Sequence, residues 1–148
     1  MEAILAPDTT ALANRLRPVL LKLARELRRE VHSVGVTVGQ VALLVQIKYA
    51  PGIGMRELAA RERVSVPAIS KFVTRLEAAG LVEREVVGGD KRRIGLHVTA
   101  AGLKVLRSVK SKRTVWLASR LRTLSPAQLE AIDSAIEPLT HLVGDDAP

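Results

Sequence analysis

Pro67, Lys71, Thr74 and Ala78 are the residues whose types and spacing first suggest chemistry. At 100° per residue they share one side of a helix, flanked by Ser70 and Arg75. Ile69, Phe72, Val73 and Leu76 fall on the other side and form its expected buried seam. The outward set is small, hydroxylic or cationic. Such a face suits the major groove of duplex DNA, where bulky groups would hold a helix off and short donors reach base edges. A Thr methyl, or an Ala or Pro edge, can touch a thymine methyl group, while Lys71 and Arg75 can reach guanine acceptors or phosphates. Ser65 is a good N-cap, and the free N–H groups beside it suit a phosphate. The candidate reading set is therefore Ser65, Pro67, Ala68, Ser70, Lys71, Thr74 and Arg75. Taken alone, the same stretch also fits an ordinary solvated amphipathic helix.

A second cluster, Asp90, Lys91, Arg92 and Arg93, lies a short distance downstream in a Gly-containing segment, Val87 to Arg93. A basic hairpin tip there can enter the minor groove, where negative potential is focused. Asp90 reads as the carboxylate that holds Arg92 in position. The competing explanation is a solubilising hairpin with an incidental charge cluster. Arg56 and Arg84 are candidate phosphate contacts, although Arg84 could equally pair with Glu83 or Glu85 on its own strand.

Other chemistries are poorly supplied. The chain has no cysteine, and its three histidines, His32, His97 and His141, form no ligand-spaced pair, so no metal site or cofactor is expected. No nucleophile sits beside a base and no Gly-rich phosphate loop is present, so the expectation is not an enzyme. The net charge of +8 favours a polyanionic partner. Its distribution is uneven: nine basic against six acidic residues from Arg56 to Arg93, but seven basic and no acidic from Thr99 to Leu124. Aromatic residues make up 2% of the chain (Tyr49, Phe72, Trp116), too few for a stacking platform, so double-stranded DNA is favoured over single strands or RNA. No apolar run approaches the roughly 20 residues of a membrane span, and Met1 to Leu5 lacks a basic leader, so the expected location is the cytoplasm.

The elements needed to position these groups can be followed along the chain. Asp8-Thr9-Thr10 can cap a long helix with Leu12, Leu16, Val19, Leu23, Leu27 and Val31 as one stripe; Pro18 should kink it or mark its true start. Thr37-Val38-Gly39-Gln40 is a capping box opening an apolar helix that stops before Pro51-Gly52. A short helix follows from Met55 to Glu62, then the reading helix from Val66 to Ala79, ended by Gly80. Two short helices with a tight connection make a helix-turn-helix. The period then changes to two: Val82–Val86 and Ile94–Val98 each alternate, which predicts a hairpin with an apolar face. Thr99 can cap a second long helix through Arg122, with Trp116 on its apolar stripe, in the core or beside a ligand. Ser125-Pro126-Ala127-Gln128 opens a final helix that Pro138 interrupts. The fold class is mainly α with one small β-hairpin.

This order of elements resembles the MarR family (multiple-antibiotic-resistance regulators). Ser65 to Arg84 is similar to the family's recognition-helix signature, and Asp90-Lys91-Arg92 continuing to Val98-Thr99-Ala100-Ala101-Gly102 is similar to its wing motif and following helix start. The likeness covers nearly the whole chain; Pro18 and Pro138 depart from it in the terminal helices. It implies one winged helix-turn-helix domain over residues 1–148, with 37–98 as the DNA-binding part and 8–34 and 100–144 as dimerisation helices. It also implies a homodimeric, sequence-specific regulator, more often a repressor, on a pseudo-palindromic operator, with release by a small phenolic or anionic ligand at a site the sequence does not locate. The acid-free stretch from Thr99 to Leu124 leaves an alternative, a non-specific nucleoid or architectural DNA-binding protein.

Overall fold

A computed structural model describes residues 6–86, 89 and 93–144. Six helices and two strands follow one another: α1 (Thr9–His32), α2 (Val38–Tyr49), α3 (Met55–Arg61), α4 (Val66–Ala78), β1 (Val82–Val86), β2 (Ile94–Val98), α5 (Ala100–Leu121) and α6 (Pro126–Val143). The start signals act as the sequence implies. The Asp8 carboxylate accepts from the Thr10 N–H at 3.0 Å, and Thr37 and Gln40 form a complete capping box at α2. Pro18 lies inside α1 and does not begin it, because the Asp8 cap starts the helix nine residues earlier. A proline there removes one ladder bond while the turns on either side persist. Pro138 likewise lies inside α6.

The chain forms two compact units, residues 1–113 and 114–148. The core of the first gathers Val31 from α1, Leu44 and Ile47 from α2, Leu58 from α3, Ile69, Val73 and Leu76 from α4, Leu96 from β2 and Val109 from α5, all essentially buried. The hairpin pairs antiparallel from Val82↔Val98 to Val86↔Ile94. Its apolar alternation holds at the base and fails towards the tip. In β1 only Val82 is buried, and Val86 is 55% exposed, because the strand runs on past the core that Leu96 closes. Ile53 adds a bridge to Leu96: the Leu96 N–H donates to the Ile53 carbonyl at 3.0 Å, and the Gly52 N–H donates to the Leu96 carbonyl at 2.9 Å. Gly52 reaches this position with φ +82°, a conformation that favours glycine.

Two junctions fix α4. At its C-terminus Gly80 (φ +74°) closes a Schellman motif, with the Leu81 N–H donating to the Leu76 carbonyl and the Gly80 N–H to the Glu77 carbonyl, each at 2.9 Å. The same end is clasped by α5. The Thr99 hydroxyl donates to the Gly80 carbonyl at 2.6 Å and accepts from the Gly102 N–H at 3.1 Å, while the Thr99 N–H donates to the Leu81 carbonyl at 3.0 Å.

In the second unit, the remainder of α5 leads to Ser125, whose capping box with Gln128 opens α6. Trp116 is half-buried, with the Arg120 guanidinium 5.5 Å from its ring centroid. No residue of α6 is buried. Among the described residues, no helix is long and apolar enough to cross a membrane.

Candidate nucleic-acid interface

The turn that presents α4 is held by backbone geometry. After α3, Arg63 adopts φ +55°, the only non-glycine with positive φ among the described residues. Its N–H donates to the Ala60 carbonyl at 3.2 Å and the Val64 N–H donates to the Ala59 carbonyl at 3.0 Å, a second Schellman motif with arginine in the place glycine usually takes. A left-handed conformation costs an L-residue roughly 1–2 kcal/mol, and glycine's extra unfolded-state entropy returns about half of that. Arg63→Gly is therefore expected to stabilise the protein by about 0.5–1 kcal/mol, read from the denaturation midpoint in urea. A lower midpoint would show that the arginine side chain itself supports the turn.

Beyond the turn the Ser65 hydroxyl accepts from the Ala68 N–H at 3.3 Å, and Pro67 sits in the first turn of α4, where its missing N–H costs nothing. Ile69, Val73 and Leu76 are fully buried. Phe72 corrects the expected seam: it is 43% exposed. The buried arc centres on Ile69, Val73 and Leu76, and Phe72 lies on its rim at 100° per residue. There it lines a shallow surface hollow with Ser65, Pro67, Ala68, Lys71 and Arg75. Five of the seven expected readers thus meet on one surface. Thr74 is also exposed, one turn after Lys71, whereas Ser70 is half-buried at the margin.

The charges around this face are distinct. Lys71, Arg75 and, at the start of α3, Arg56 are exposed and make no ion pair among the described residues. Glu77, the only carboxylate of α4, is engaged by Arg84 of β1, with Nε to Oε2 at 2.8 Å. A second Arg84 nitrogen donates to the Thr74 hydroxyl oxygen at 3.3 Å. Neither Glu83 nor Glu85, the partners the strand sequence suggested, holds Arg84; Glu85 instead meets His97 at 3.0 Å. Arg93 is exposed, just before β2 at the tip end of the hairpin. Asp90, Lys91 and Arg92, with the expected Asp90–Arg92 pairing, lie outside the described residues.

Residues 36–94, the span from the start of α2 to the start of β2, match the MarR family. An HTH-type transcriptional regulator of Mycobacterium tuberculosis is 29% identical over 137 residues, 93% of this chain and 95% of the relative. The chain is MarR-like, with the match to the family running over residues 36–94. It is a MarR-type transcriptional regulator, and the family is one of regulators rather than enzymes. A solved MarR family transcription regulator is 26% identical and superposes with a TM-score of 0.67 over 93% of both chains. A Staphylococcus aureus MepR variant, solved bound to an oligodeoxyribonucleotide, shares the fold with a TM-score of 0.71 at 19% identity, over 86% of this chain and 94% of that one. The winged helix-turn-helix expected from the sequence is the fold these MarR-type neighbours share.

Three features of this MarR-type site escaped the sequence reading. Arg63 gave no sign of its positive φ, since helix-ending residues of that kind are normally glycine or asparagine. The Thr99–Gly80 clasp joins residues on either side of the hairpin. The Glu77–Arg84 pair spans a helix end, a turn and a strand start, so no single periodicity connects it. Of that clasp the sequence shows only the Thr-x-x-Gly spacing of Thr99 and Gly102, which by itself marks a helix start.

Proposed function

We propose that this DNA-binding MarR-type regulator acts in the cytoplasm as a homodimeric repressor that reads a pseudo-palindromic operator. In this reading the whole chain is one domain: residues 37–98 supply the winged helix-turn-helix, and 8–34 and 100–144 supply the helices that join two copies. The observation that carries it is the convergence of Ser65, Pro67, Ala68, Lys71 and Arg75 on one open surface, backed by a fully buried Ile69–Val73–Leu76 seam. A rigid helix with small contacts and two cations that make no ion pair among the described residues fits the major groove. Ser70 and Thr74 border the same surface, Arg56 anchors a phosphate, and Asp90, Lys91, Arg92 and Arg93 form the wing tip. Two such heads in a symmetric dimer read half-sites about 34 Å apart. A small phenolic or anionic ligand releases the DNA by binding better to the state in which that spacing is wrong.

Selection from a randomised duplex library tests this directly. Wild type should enrich an inverted repeat, and Lys71→Ala should shift the preferred bases. Arg92→Ala should weaken binding to the selected site by about 1–3 kcal/mol in a gel shift at fixed salt. A variant that binds as tightly as wild type would remove Arg92 from the interface. The second reading, a non-specific architectural binder, draws on the exposed face of α5, where Lys104, Arg107, Ser108, Ser111 and Lys112 line a shallow hollow. It predicts no enrichment, and equal affinity for random duplex.

A further inference from the structure

Arg84 was expected to anchor a phosphate, yet its guanidinium already points into the protein's own reading helix, towards Glu77 at 2.8 Å and Thr74 at 3.3 Å. An exposed ion pair of this kind contributes little to stability, so its consequence lies in what it orients. Some helical hydroxyls donate to a carbonyl of the preceding turn, as Ser119 does to Trp116 and Thr140 to Ile136, whereas Ser108, Ser111, Thr114 and Ser134 make no such bond among the described residues. Thr74 makes no such bond among the described residues. Its oxygen instead accepts from a cation. The hydroxyl proton is then left for an outside acceptor, and a hydroxyl that accepts from a charged donor is itself the stronger donor. Glu77 completes the arrangement by fixing the guanidinium through Nε while the other nitrogen reaches Thr74.

We propose that Arg84 and Glu77 form a positioning pair that sets Thr74 as a hydrogen-bond donor to the operator, favouring a base-edge acceptor over the amino group of cytosine. The inference rests on the reading of α4 as the DNA-reading helix. In the major groove guanine offers N7 and O6, adenine N7 and thymine O4 as acceptors, whereas cytosine presents a donor. Arg84 thereby acts on sequence preference through Thr74 and not as a phosphate anchor.

The test is randomised-site selection with wild type, Arg84→Ala, Glu77→Gln and Thr74→Val, together with the salt dependence of binding to the selected site. Arg84→Ala and Glu77→Gln should relax the same one base position per half-site that Thr74→Val relaxes, by about 3–10-fold in discrimination, with the slope of log affinity against log salt unchanged. A phosphate anchor predicts otherwise: Arg84→Ala would weaken every duplex and reduce that slope by about one. Glu77→Gln would free the arginine and tighten every duplex. Either result overturns the proposal, as does an unchanged preference in both variants. Circular dichroism melting confirms that each variant is folded, and Glu77→Gln, which preserves side-chain shape, carries the test should Arg84→Ala unfold. Failure of wild type to select any sequence would instead refute the operator-reading function itself.

Discussion

Gly102→Ala is expected to destabilise the protein by about 2–3 kcal/mol and to lower its melting temperature by roughly 6–10 °C. An alanine in an open helical position is ordinarily favourable by up to about 1 kcal/mol. Here the added Cβ would sit 2.3 Å from the Leu81 carbonyl oxygen and 2.6 Å from Val98 Cγ1. The carbonyl is backbone, already fixed by the bond from the Thr99 N–H, so it cannot swing aside as a side chain could. Relief requires α5 to move off the end of α4, which breaks the Thr99 hydroxyl's bond to Gly80. Gly39→Ala supplies a control of opposite sign. Its Cβ would meet only Thr37 Oγ1, at 3.9 Å, so the helix propensity of alanine should prevail and raise stability by about 0.5–1 kcal/mol. Thermal melts followed by circular dichroism at matched concentration check both. Equal melting points for Gly102→Ala and wild type would show that the clasp yields freely and does not hold α4 in place. If it does hold α4, the variant also loses operator affinity at temperatures where it remains folded.

What the sequence made legible, and what it hid, divides along the range of the interactions. Caps and stops are local, and Thr37, Ser65, Gly80 and Ser125 each act where their residue types predict. The buried seam of α4 followed from angular spacing except at Phe72, where a residue about 60° off the centre of the arc can face either way and packing with α2 and α3 decides. β1 misled for a related reason. Alternation reports which side of a strand each residue takes, but not how far along the strand the core extends, and the core stops near Leu96. Pro18 does not begin α1: the cap at Asp8, ten residues upstream, outweighs one missing ladder bond. Arg84 was the hardest to place. Four carboxylates lie within seven residues of it, and the three-dimensional turn at Gly80 brings Glu77 to it. The exposed set on α4 was legible because it depends on a single helix and on the sizes of its side chains.

Ile136→Asp is expected to separate the proposed homodimer, weakening self-association by about two to four orders of magnitude. Leu129, Ile132 and Ile136 recur at three- and four-residue spacing along α6, and they are 38%, 44% and 57% exposed in the single chain. Leu142 and Val143 at its end are 72% and 66% exposed. α1 offers a comparable face: Leu12, Val19, Leu20, Leu21 and Leu23 are each at least 40% exposed. Isolated exposed apolar residues are common, but a helix with a periodic apolar stripe and no buried residue has its packing partner elsewhere. A second copy supplies one, and a two-fold axis also gives the paired half-sites that the operator reading requires. In a symmetric dimer one substitution acts twice. Each lost isoleucine removes about 1.5–3 kcal/mol of burial, so the pair forfeits about 3–6 kcal/mol before any cost of burying the carboxylate. That range corresponds to the stated change in affinity. Sedimentation or mass photometry across a dilution series reads it directly, and the same variant should bind a single half-site as a weak monomer. A wild-type chain that is monomeric throughout, or an Ile136→Asp chain as dimeric as wild type, would remove α6 from the interface and require the two reading heads to be coupled by other residues.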